Sequence, residues 1–72
     1  MFSEELDFFI KNQDALVKQH LGKALVIQGQ KLCGVYDSAL DAYLQVQRDQ
    51  QLGKVMIQMC LPGPDAYTTT IN

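Results

Sequence analysis

Two apolar runs separated by only two residues constrain the fold of this chain most. Ala24-Leu25-Val26-Ile27-Gln28 and Lys31-Leu32-Cys33-Gly34-Val35-Tyr36 both have strand composition, and only Gly29-Gln30 lies between them. A two-residue loop with glycine first suits a type II′ turn, whose twist matches that of a tight hairpin. This pairing puts Ile27 opposite Leu32 and Val26 opposite Cys33. The two pairs lie on different faces of the sheet, and both are apolar. A sheet wetted on one side alternates apolar with polar residues instead. Both faces therefore need cover, from the rest of the chain or from a second molecule.

Upstream, Ser3 is placed to cap a helix over residues 3–21, with Glu4, Glu5 and Asp7 where the helix dipole favours negative charge. Leu6, Phe9, Ile10, Leu16 and Val17 recur at helical spacing and mark its core-facing side. Asn12 invites a break into two shorter helices, because Asn is a better cap than interior residue. Gly22 fits the left-handed position that closes many helices. After the hairpin, Asp37 or Ser38 caps a second helix with the apolar stripe Ala39, Leu40, Ala42, Tyr43, Leu44 and Val46, ending at Leu52-Gly53. Residues 54–61 carry the strongest strand signal. Val55, Ile57, Met59 and Leu61 form one of its faces, and Met56, Gln58 and Cys60 the other. Pro62-Gly63-Pro64 stops it, and Tyr67-Thr68-Thr69-Thr70-Ile71 suits a short extra strand.

The order α-β-β-α-β predicts a small α+β domain over residues 1–72: a three-stranded mixed sheet packed by two helices. Strands two and three, joined through a helix, should run parallel with a right-handed crossover. The third strand then lies beside the first, in spatial order 3-1-2. The helices can cover one face or take one each.

A chain of 72 residues buries only about 60% of its unfolded surface, and such domains often lean on disulfides, a metal or a second subunit. Cys33 and Cys60 lie in apolar runs and read as buried free thiols. No C-x-x-C or Cys/His ligand spacing occurs, so no metal site is expected, and nothing points to a cofactor. Self-association is the support left open, and a homodimer is the expectation. If both helices pack on one face, the other face becomes the interface, with Val26, Cys33, Val35, Met56 or Cys60 near it.

The formal charge of −2 and a pI near 5.0 argue against binding nucleic acid. No apolar run approaches the roughly 18 residues of a membrane span, and the acidic start Met1-Phe2-Ser3-Glu4-Glu5 is unlike a secretory signal. A cytoplasmic location follows as the expectation. His20 is the sole histidine, yet no Ser or Cys stands at a recognisable triad spacing. A histidine at a helix end more often meets the last carbonyls. No catalytic residue is assigned. Two readings result: a self-associating protein-interaction module, and behind it a small ligand-binding or catalytic protein using His20 with a nearby carboxylate.

Gly22-Lys23 before an apolar strand, then Gly34-Val35-Tyr36-Asp37-Ser38 and Ala42-Tyr43, resembles a family of small uncharacterised bacterial proteins, a domain of unknown function. Leu52-Gly53, Ile57-Gln58, Pro62-Gly63 and Ala66-Tyr67-Thr68 fit the same pattern, so the resemblance runs from about residue 16 to residue 70. Its motifs are turns, caps and core positions, and it implies the fold rather than an activity. Family members look to be encoded beside small retropepsin-like aspartic proteases, which implies a protein partner encoded nearby. His20 stands where the family usually has Tyr, which weakens a shared catalytic role for it. The tail also ends earlier than the family pattern, at Ile71-Asn72.

Overall fold

The computed structural model describes residues 2–64, Ala66, and the backbone of Thr70 and Ile71. Its elements are α1 (Ser3–His20), β1 (Ala24–Gln28), β2 (Lys31–Tyr36), α2 (Ala39–Arg48), β3 (Met56–Met59) and β4 (Thr70–Ile71). The strands lie in the order β2-β1-β3-β4. The expected α+β class and the 3-1-2 arrangement of the first three strands are both present. The extra strand is β4, paired with β3; Tyr67, Thr68 and Thr69 lie outside the described residues.

One feature of the expected sheet is corrected. β2 and β3 each pair antiparallel with β1, and β4 pairs antiparallel with β3, so the sheet is antiparallel rather than mixed. β2 and β3 do point the same way, as a helical crossover requires. With β1 between them, however, no neighbouring pair is parallel.

The hairpin turns at Gly29, whose φ of 61° lies in the left-handed region that favours glycine, while Gln30 keeps a negative φ. A positive φ at the first turn position alone fits type II′. Ile27 pairs with Leu32 as expected, but Val26 pairs with Gly34, because a bulge shifts the register and leaves Cys33 as the extra residue. The regular register would have set Gly34 opposite Leu25. The bulge instead brings Val35 there, against the core that Leu25 and Ile27 share.

Each helix covers one face. Phe9 and Leu16 of α1 pack on Leu25, Ile27, Met56 and Cys60, with Leu6, Phe8 and Val17 around them. Ala42 and Val46 of α2 pack on Ala24, Val26, Val55 and Ile57, flanked by Tyr36, Tyr43 and Met59. The alternation along β3 is as expected except at Leu61, which follows the strand's end and joins the α1 side. Fully burying a side chain such as Phe9 or Ile27 contributes about 1.5–3 kcal/mol, so two such clusters explain how a short chain holds three layers.

The helix ends depart from expectation in three places. The α1 cap position is Phe2 rather than Ser3, with no capping side chain. Asn12 does not break α1: its side-chain amide donates to the Phe8 carbonyl one turn back, which satisfies it within a continuous helix. Ile10, expected inward, is exposed, and Phe2 and Phe8 pack in its stead. At α2, Ser38 is the cap, its Oγ accepting from the Asp41 amide at 3.1 Å. That helix stops at Arg48, short of Gly53. The Gln51 amide reaches Val46 O and the Gln50 amide reaches Gln47 O, with Gln50 left-handed at φ 59°.

Candidate functional site

The face residues expected at an interface are mostly enclosed within the chain. Val26 lies under α2, and Met56 and Cys60 lie under α1, all three buried. Burial pushes the Cys60 thiol pKa up, as expected for a structural cysteine. Cys33, expected buried, is exposed: it is the extra residue of the bulge, on a strand that the sheet order leaves at the edge. Val35 is half-buried against the α1 core. Of the five residues, only Cys33 and Val35 therefore lie along the open side of the sheet.

That open side is β2, which ends the strand order and borders no further strand among the described residues. Its outer backbone N–H and C=O groups face outward, a template for another strand. Beside it runs an open groove of about 400 Å³. Val35, Tyr36 and Asp37 line it from the strand side, and Asp41, Leu44, Gln45 and Arg48 from α2. Leu44 is 47% exposed, and Leu40, one turn earlier on the same stripe, is 64% exposed. A smaller hollow beyond Tyr36, of about 190 Å³, takes in Cys33, Gln28, Asp49 and Gln51.

Tyr36 divides the two hollows because of Gly34. A Cβ on Gly34 would lie 2.9 Å from Tyr36 Cε2, so the ring lies over the glycine and fills the space a side chain would take. At the same end, Lys23 Nζ donates to Asp37 Oδ1 at 2.7 Å, and the ammonium holds that exposed carboxyl below its ordinary range. Arg48 closes the far end of the α2 wall. The groove thus has acids at its start, an apolar middle and a cation at its end.

His20 does not assemble a site. No hydrogen bond or ion pair joins its side chain to a described residue, and its backbone carbonyl accepts from the Lys23 amide at the helix end. Among the described residues no three of His, Cys, Asp and Glu converge in a way that could hold a metal ion. No described helix is long and apolar enough to cross a membrane.

Two glutamines that sequence reasoning assigned no role turn out to be structural. Gln13 Nε2 donates to Leu61 O at 2.8 Å and to Gly63 O at 3.0 Å, and the fully buried Gln58 Nε2 donates to Met59 O and Ala66 O. They fasten the turn after β3 to the body of the domain. A polar residue inside an otherwise apolar strand was the only signal for the second.

No family model, no curated protein and no solved structure matches the chain.

Proposed function

We propose that this chain is a small cytoplasmic protein-interaction module that associates with copies of itself along β2 and the flanking side of α2. The single observation that carries the reading is an unpaired strand edge lying directly beside an exposed apolar stripe. Strand edges recruit strands, and the natural means of blunting them are charge, proline or a covering element. Here Lys31 and the Cys33 bulge are the only such devices on β2, and Leu40 and Leu44 extend the surface with apolar area. An exposed Cys33 also suits a reducing compartment, where thiols stay free.

The test is the solution mass across a dilution series, by light scattering or sedimentation equilibrium. The expected species is a dimer of the 8.1 kDa chain that dissociates on dilution. The paired substitution Leu40→Glu with Leu44→Gln should shift it to monomer. Both positions are exposed, and Glu is favoured in a first helical turn, so folding is spared. A wild-type chain that stays monomeric at every accessible concentration would overturn the reading.

A further inference from the structure

We propose that two copies pair antiparallel along β2 about a two-fold axis at the Cys33 bulge, with their α2 helices side by side on one face of a continuous sheet. The proposal rests on the self-association reading and specifies its geometry. Three features select this arrangement over other edge contacts.

The first is the bulge. Leu32 and Val35 both pack toward α1 although they are three residues apart, while Cys33 and Gly34 sit toward α2. An axis between Cys33 and Gly34 sets Leu32 of each copy beside Val35 of the other, and the α1-side apolar layer continues across the joint. An axis through Cys33 would set Leu32 against Gly34, and one through Gly34 would set it against Tyr36. Both of those residues face α2, so the layers would mismatch.

The second is the order of charge. The C-terminal end of α2 lies at the hairpin end of β2, since Asp49 and Gln51 share a hollow with Gln28 and Cys33. Over the hairpin as a whole the charges balance, since Glu5 accepts from the Gly29 amide and Glu4 lies beside it. Along the groove wall they do not: Asp37 and Asp41 line the end at the start of α2, and Arg48 lines the end nearer the hairpin. Antiparallel pairing brings the cation of one wall toward the acids of the other, and parallel pairing brings like ends together. The third is helix spacing. An antiparallel α2 contact centred on Leu44 places Arg48 of one copy beside Leu40 and Asp41 of the other, so the apolar centre is flanked by two identical ion pairs.

The experiment exploits the fact that Cys60 is buried, which leaves Cys33 as the reactive thiol. With the axis at the bulge, the two Cys33 residues are offset by one residue along adjacent strands, roughly 6 Å apart at Cα. A short bismaleimide should couple most of the dimeric fraction, and Cys33→Ser should abolish coupling. Arg48→Glu and Asp41→Arg should each weaken association by about fivefold or more, through two exposed pairs each, and the double variant should recover most of that loss. A dimer whose Cys33 is not coupled, or whose charge variants simply add, overturns this geometry while self-association stands. A monomer overturns both.

Discussion

At the scale of single residues, conformation was most legible where residue type leaves no choice. Gly22, at φ 80°, takes the positive-φ position of the turn that follows α1, and Ser38 caps α2, each from a chemical preference visible in the sequence. Gln50 is the opposite case. It occupies the left-handed closing position of α2, where glycine is the ordinary occupant and a side chain costs about 1–2 kcal/mol. Gln50→Gly should therefore stabilise the domain by about 0.5–1 kcal/mol, part of the relief being lost to the added freedom of glycine in the unfolded chain. For a domain of this size, that is a rise of a few degrees in Tm by calorimetry. No change or a fall would mean that Gln50 has a compensating interaction. Nothing in the sequence marked Gln50, because the stop signal read at Gly53 belongs to the next turn.

Elements were legible in type and order, and less so in their ends and registers. The strand runs and both helices sit where hydrophobic spacing puts them. The bulge at Cys33 was hidden because it depends on which residue faces Leu25 across the sheet, a tertiary preference for Val35 over Gly34. The turn after β3 shows the same dependence. Pro62-Gly63-Pro64 announces a stop, but only the fold reveals that Gln13 and Gln58 hold it. Gln58→Leu keeps the volume roughly and removes the buried amide donor to Ala66 O. A buried hydrogen bond lost in this way costs about 1–3 kcal/mol, measurable as a lower denaturation midpoint with an unchanged slope. An unchanged midpoint would show that the amide contributes nothing net.

At the scale of the whole molecule, the sheet's two apolar faces were correctly read as needing cover, and the chain supplies it with one helix per face. That arrangement moves the candidate interface from the faces to an edge. It explains why Val26, Met56 and Cys60 are enclosed while Cys33 lies open. Edges are hard to read from sequence, because strand order decides them and composition does not. The remaining candidate, chemistry at His20, has no assembled partner among the described residues. In the proposed dimer the β2 edge is completed by a second copy. Amide hydrogen exchange of residues 31–36, followed across a dilution series, reads that edge itself. Protection of these amides should fall on dilution in step with the loss of dimer, while β1 and β3 keep theirs. Protection on β2 that does not vary with concentration would mean that no second copy pairs with this edge.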